Sequence, residues 1–124
     1  MFKIDLKSNL PIYEQIINQI NECILKGYFK SGDALPSVRK LSIMLDVNPN
    51  TIAKAYTELE RRGIIVTVRG KGTFISDETN SNIDIHKELN KIRPVLAELK
   101  LNGASDNEIL NCVKELLNAL EEKE

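Results

Sequence analysis

The sequence contains few of the residues on which catalysis, metal binding and membrane insertion usually depend. Of its 124 residues none is tryptophan, two are cysteine and one is histidine. No apolar run approaches the roughly 18 residues that a membrane-spanning helix needs, and the start lacks the long apolar stretch of a secretory signal. We therefore expect a cytoplasmic protein with no membrane partner.

The cysteines and the histidine do not suggest a metal or redox site. Cys23 and Cys112 are far apart among aliphatic residues at helical spacing, which is typical of small buried hydrophobes. His86 has no other ligand type at metal-binding spacing, so we expect it on an exposed helix surface. Residues 70–73 differ from a phosphate loop, because Ile65 stands where the first glycine is needed. With no nucleophile–base or carboxylate pair, the sequence predicts a protein that is not an enzyme and has no cofactor.

Charge divides the chain into two unlike parts. Residues 1–75 hold 11 Lys/Arg and 7 Asp/Glu, whereas residues 76–124 hold 6 and 11. The balances of +4 and −5 are hidden in the net charge of −1. A basic front and an acidic rear predict that only the front part faces an anionic partner.

The segment from Asn48 to Gly63 has the pattern of an amphipathic helix. Asn48 suits the N-cap, Pro49 the first turn and Gly63 the residue after the end. Four apolar residues share one face at the i, i+3, i+4, i+7 spacing of a core face: Ile52, Ala55, Tyr56 and Leu59. The opposite face is polar and cationic, with Asn50, Thr51, Lys54, Thr57 and Arg61. Such a face suits base edges beside a phosphate backbone, although an ordinary solvated helix surface has the same composition.

The neighbouring segments complete a known order of elements. A first helix is predicted from Pro11 to Gly27, a brief strand at residues 34–36, and a second helix capped by Ser37 with Val38, Leu41, Met44 and Leu45 on its inner face. Two short helices with a tight turn at residues 46–47 make a helix-turn-helix. The β-branched run 64–68, a turn at 69–72 and residues 73–75 then predict a hairpin. Three helices followed by a hairpin are a winged helix-turn-helix.

After a wholly polar segment, residues 76–82, two more helices are predicted. Pro94 lies inside the first and predicts a kink, and residues 105–108 form a capping box for the second. Their apolar residues are spaced by three and four, as in coiled coils and bundles: Ile85, Leu89, Ile92, Leu96, Leu99, Ile109, Val113, Leu116, Leu117 and Leu120. Two such hairpins from two chains would close a four-helix arrangement; the alternative is a tail that folds back onto the front domain. The predicted fold is therefore α+β, mainly α, with a winged helix-turn-helix at 1–75, a linker at 76–82 and a two-helix dimerisation hairpin at 83–124.

Two motifs stand out, residues 32–41 (GDALPSVRKL) at the start of the predicted helix-turn-helix and residues 69–75 (RGKGTFI) in the hairpin. They resemble the opening signature and the wing of the GntR family of bacterial transcriptional regulators. Residues 48–56 (NPNTIAKAY) and 11–16 (PIYEQI) resemble its YtrA subfamily. Where many members carry arginines early in the third helix, this sequence has Pro49 and Ala53. The family's base contacts therefore cannot be copied onto this helix.

The resemblance implies a sequence-specific DNA-binding regulator: a homodimeric repressor of a nearby operon on a pseudo-palindromic operator, with ABC transporter genes as candidate targets. On the helices we expect contacts to DNA from Ser37, Arg39, Lys40, Asn48, Asn50, Thr51, Lys54, Thr57 and Arg61. In the wing we expect them from Arg69, Gly70, Lys71, Gly72 and Thr73. The two-helix tail leaves little room for an apolar pocket of the usual size. A small-molecule effector would therefore bind at the dimer interface or between the tail and the front domain. The alternative function is a winged-helix module that docks on another protein.

Overall fold

The computed structural model describes residues 2–77 and 83–122. The chain divides into two compact units, Met1–Thr79 and Asn80–Glu124. Residues 78–82 of the predicted linker lie outside the described residues. The first unit contains α1 (Ile12–Leu25), β1 (Ala34–Leu35), α2 (Val38–Leu45), α3 (Pro49–Arg61), β2 (Ile65–Val68) and β3 (Gly72–Ile75). The second contains α4 (Ile85–Leu89), a 3₁₀ turn (Asn90–Ile92), α5 (Arg93–Leu101) and α6 (Asp106–Glu121).

The predicted caps set the bounds of the helix-turn-helix. The Ser37 side chain accepts a hydrogen bond from the Lys40 N–H at the start of α2, and Asn48 accepts one from the Asn50 N–H at the start of α3. Helix α3 ends in a Schellman motif, with Gly63 at φ +76° and the Ile64 N–H bonded to the Leu59 carbonyl at 3.0 Å. Because Ile64 closes the helix in this way, the strand begins at Ile65, one residue later than predicted.

Helix α3 is the centre of the first unit. It packs against α1, α2 and β2, and its four predicted core residues are all buried. Among the described residues the largest fully buried side chains are Ile16, Ile17, Ile20, Leu41, Ile52 and Leu59. The predicted inner face of α2 is wrong at Met44, which is 59% exposed.

A three-stranded antiparallel sheet closes one end of this core. Its order is β1-β3-β2, with Ala34 opposite Phe74 on one side of β3 and Val66 opposite Phe74 on the other. Gly72, predicted in the turn, begins β3 because it pairs with Val68. The brief strand predicted at residues 34–36 is confirmed as β1, which covers Ala34–Leu35 and joins the hairpin as a third strand.

Two glutamines tie the beginning of the chain to α1. The buried Gln15 accepts a hydrogen bond from the Asp5 N–H at 2.8 Å and donates to the carbonyls of Asp5 and Leu10. Gln19 accepts from the Lys3 N–H at 2.7 Å and donates to the Lys3 carbonyl. These amides satisfy backbone groups of a segment that follows no regular secondary structure.

In the second unit, the region around Pro94 departs from a regular helix. The predicted single helix is divided into α4 and α5 by the 3₁₀ turn that precedes Pro94, since proline cannot donate the next backbone hydrogen bond. The capping box at Ser105 and Glu108 is present. Cys112 lies exposed on α6, so its predicted burial is wrong for this single chain, whereas Cys23 is buried. His86 is exposed on α4, as predicted.

Candidate nucleic-acid interface

The turn between α2 and α3 is held by polar contacts. Asp46 adopts the left-handed conformation at φ +54°, and the Ser42 hydroxyl donates to the Val47 carbonyl at 2.5 Å. The Tyr56 hydroxyl donates to the Pro36 carbonyl at 2.6 Å. The Ser42 bond closes the turn after α2, and the Tyr56 bond ties the residue before the cap of α2 to α3, so together they fix the relative placement of the two helices.

At the start of α2, three of the predicted residues come together. Ser37, Arg39 and Lys40 line a shallow cleft of about 410 Å³ with Ile43 and Met44. All three are exposed at the N-terminus of α2, where the helix dipole is positive. Phosphate oxygens would be attracted there.

The outer face of α3 is as polar as predicted, but its residues differ in how free they are. Asn50, Lys54 and Thr57 are exposed and Thr51 is half-buried. The Asn48 side-chain oxygen already accepts a hydrogen bond from the Asn50 N–H at 2.8 Å, so only the side-chain NH₂ group of Asn48 is left to donate to DNA.

Lys54 and Thr57 line a second cleft, of about 420 Å³, between α1 and α3. The Lys54 Nζ lies 3.9 Å from the centroid of the Tyr13 ring. The Tyr13 hydroxyl donates to the Glu14 carboxylate at 3.2 Å, and this bond raises the pKa of Tyr13. The sequence carries no signal for this contact, because Tyr13 and Lys54 lie on different helices.

Arg61 is not a free cation on α3. The Glu58 carboxylate binds Arg61 at 2.5 Å and Arg62 at 2.9 Å. The hydrogen bonds from Arg61 and then from Arg62 lower the pKa of Glu58 to about 2. The i, i+3 and i, i+4 spacing of these residues is visible in the sequence and could have indicated the cluster.

The wing places its predicted residues unequally. Arg69, Gly70 and Lys71 form the exposed turn, closed by a hydrogen bond from the Lys71 N–H to the Val68 carbonyl at 2.9 Å. Gly70 has φ +79°, a backbone conformation that residues with a side chain rarely adopt, although a Cβ there would meet no atom within 4 Å. Thr73 is half-buried in the central strand, paired with both Leu35 and Thr67, so it is less accessible than the turn.

The described residues hold neither a metal-binding cluster nor a membrane-spanning helix. Across residues 2–77 and 83–122, no three His, Cys, Asp or Glu side chains are grouped so that they could hold a metal ion. In the same described ranges, no helix has the length and apolar character needed to cross a membrane.

A helix-turn-helix with an exposed cationic α2 start, a polar α3 face and a cationic wing defines a winged-helix DNA-binding protein. The model of the family described as "Bacterial regulatory proteins, gntR family" matches residues 12–75. The chain is 50% identical over 103 residues to the HTH-type transcriptional repressor YtrA of Bacillus subtilis, covering 83% of this chain and 78% of that protein. It belongs to the GntR family and, by this identity over most of its length, to the YtrA subfamily.

Two solved structures extend the comparison. A transcriptional antiterminator from Listeria monocytogenes superposes with a TM-score of 0.92 at 38% identity, covering 100% of this chain and 95% of that one. The DNA-binding domain of AraR, solved in complex with operator ORX1, superposes with a TM-score of 0.55 at 26% identity, covering 60% and 96%. The protein is therefore a DNA-binding transcriptional regulator, and the alternative of a protein-docking module finds no support.

Proposed function

We propose that the protein is a dimeric repressor that binds a pseudo-palindromic operator near an operon it controls. The repressor role is supported by the 50% identity to the B. subtilis repressor YtrA. The observation that carries the proposal is the arrangement of the first unit, in which α3 is fixed from its inner side by the core and exposes Asn50, Lys54, Thr57 and Arg61 on its outer side.

The proposed contacts follow from the chemistry of each exposed group. Asn50 suits adenine, Thr51 a thymine methyl group or a phosphate, and Lys54 the acceptors of guanine or a phosphate. Ser37, Arg39 and Lys40 meet phosphates at the start of α2. Arg69 and Lys71 in the wing meet phosphates or the minor groove, while Gly70 and Gly72 allow the backbone to approach.

The remaining predicted contacts have weaker support. Glu58 offsets the charge of Arg61 and occupies two of its nitrogens, which weakens its attraction to a phosphate, and Thr73 contributes from a strand instead of the turn. Asn48 and Thr57 stand at the start and on the outer face of α3. We expect these residues to modulate affinity more than they determine sequence preference.

Dimerisation is proposed for the second unit. Seven of its ten predicted interface residues are large apolar side chains exposed by 40–65%: Ile85, Leu89, Ile92, Leu99, Val113, Leu116 and Leu117. Leu96, Ile109 and Leu120 are half-buried. So many exposed apolar side chains favour a buried interface with a second copy, and a two-fold dimer would present two recognition helices to two half-sites.

A fluorescence-anisotropy titration tests the function. The probe is a labelled duplex from upstream of the gene, with a scrambled duplex as competitor, at two salt concentrations. We expect sequence-selective binding that weakens steeply with salt, a uniform loss across sequences in Arg39→Ala and a loss of selectivity in Lys54→Ala. Two further results together would refute the proposal: the protein stays monomeric at micromolar concentration, and it protects no upstream DNA in a footprinting experiment.

A further inference from the structure

The Lys54 side chain is oriented by a residue outside the helix-turn-helix. Its Nζ lies 3.9 Å from the ring centroid of Tyr13, which belongs to α1. Within the described ranges, no carboxylate forms a salt bridge with Lys54. The two acidic residues that line the same cleft are engaged elsewhere: Glu14 accepts from the Tyr13 hydroxyl, and Glu58 binds two arginines. The aromatic ring is therefore the group that holds the ammonium.

We propose that Tyr13 is a positioning residue for DNA binding, whose ring holds the Lys54 ammonium in the orientation from which it meets DNA. The inference rests on the proposed function, because it assumes that Lys54 contacts the operator.

The physical basis is preorganisation. A lysine side chain is flexible and loses rotamer freedom when it makes a contact. A ring that already orders the side chain reduces this loss on binding. The ring covers one side of the ammonium, and three N–H donors are available, so donors remain for a phosphate or a base. Exclusion of water at the interface also strengthens the attraction between the cation and the ring.

The opposite effect is physically possible and has the opposite sign. If the ring held Lys54 away from DNA, binding would have to break the contact, and removal of the ring would tighten binding. The direction of the change therefore decides between positioning and sequestration.

The experiment is a double-mutant cycle with the full-length protein. Wild type, Tyr13→Phe, Tyr13→Leu, Lys54→Met and the double variant Tyr13→Leu/Lys54→Met are titrated against a labelled duplex obtained by selection from random DNA. We expect Tyr13→Leu to weaken binding by about two- to fivefold per chain, the range of an exposed cation–π contact. Tyr13→Phe, which keeps the ring, should bind as wild type does. In the Lys54→Met background, Tyr13→Leu should have no further effect.

Two measurements separate this role from a structural one. Thermal melts of all variants test whether the fold is preserved with Leu at position 13, and we expect it to be. Proton NMR of Lys54 should show its Cε protons shifted upfield by the ring current in wild type and Tyr13→Phe but not in Tyr13→Leu. This readout needs no DNA.

The contrary outcomes are distinct. Unchanged or tighter binding by Tyr13→Leu, or an equal loss with and without Lys54, would overturn the positioning role while leaving the DNA-binding function intact. Wild-type protein that selects no sequence would overturn the proposed function and the inference together, even if the ring-current shift were present.

Discussion

The hydrogen bond from the Tyr56 hydroxyl to the Pro36 carbonyl should contribute measurably to the stability of the fold. Tyr56 is 6% exposed in α3, and its hydroxyl donates to the Pro36 carbonyl at 2.6 Å, directly before the cap of α2. Tyr56→Phe keeps the buried ring but deprives the carbonyl of this donor. We expect the free energy of unfolding to fall by about 1–2 kcal/mol, which for a unit of this size lowers Tm by about 5–10 °C.

The same substitution should change the alkaline limb of the stability curve. Burial raises the pKa of Tyr56 from 10.0 to about 12. Between these values the folded chain keeps a proton that the unfolded chain has lost, so the free energy of unfolding falls as the pH rises. The stabilisation is complete below about pH 10 and is lost as the pH passes the folded-state pKa. Tyr56→Phe should therefore decline less steeply over this window.

Circular-dichroism melts and urea titrations at pH 7 and across the alkaline range provide the assay. Tyr13→Phe is the matched control, because its hydroxyl bonds only to the neighbouring Glu14, at 3.2 Å, among the hydrogen bonds described. We expect the control to change stability by less than about 0.5 kcal/mol. Equal losses of stability in the two variants, or a Tyr56→Phe variant with the Tm of wild type, would refute the view that this bond anchors α2 to α3.

Three further substitutions, two of them with a control variant, test the electrostatics and the dimer. Glu58→Gln removes the carboxylate that binds two arginines, so DNA binding should become tighter, less selective and steeper in salt. At neutral pH this variant should also melt below wild type, because it lacks the ion pairs. The difference in Tm should vanish as the pH falls from about 4.5 to 2, because Glu58, with its pKa lowered to about 2, then becomes protonated in the wild type. Ser37→Asp keeps an N-cap but repels a phosphate, so affinity should fall with Tm retained, whereas Ser37→Ala should lose about 1 kcal/mol of stability. Leu116→Glu should yield monomers in light scattering, whereas Leu101→Glu, off the predicted interface, should not.

Each of these has a clear contrary result. Unchanged salt dependence in Glu58→Gln would mean that the paired arginines do not reach DNA. Full affinity for DNA in Ser37→Asp would show that no phosphate binds at the start of α2. A monomeric Leu101→Glu variant, or a dimeric Leu116→Glu variant, would place the interface elsewhere on the second unit.

Much of the first unit could be predicted from the sequence because its signals are local. The caps at Ser37 and Asn48 and the glycine after α3 act within one helical turn, so they specify where helices begin and end. The inner face of α3 was predicted in full, since periodicity alone identifies which residues share a face. The prediction was wrong for Met44, because the apolar spacing of an eight-residue helix does not tell how far its buried stripe extends.

In the candidate site too, local features could be predicted from the sequence and contacts between elements could not. The exposed residues of α3 and the wing turn could be named from the sequence because each follows from its position in one element. The ring of Tyr13 over Lys54 could not, because it joins residues on two helices whose relative rotation depends on packing of the whole core. Thr73 likewise proved half-buried only once β1 was known to pair beside it.

By itself the sequence determined the order of helices and strands, the caps, the core face of α3 and the polarity of its outer face, since neighbouring residues decide these properties. Which cations are held was readable from the sequence only where the partner lies within one helical turn, as Glu58 does for Arg61; for Lys54 the tertiary structure decided it. Arg61 is bound by Glu58, Lys54 lies on an aromatic ring, and Arg39 and Lys40 share a cleft at the start of α2. The availability of a charge depends on what lies within a few ångströms of it, and for Lys54 that neighbour comes from a distant part of the chain.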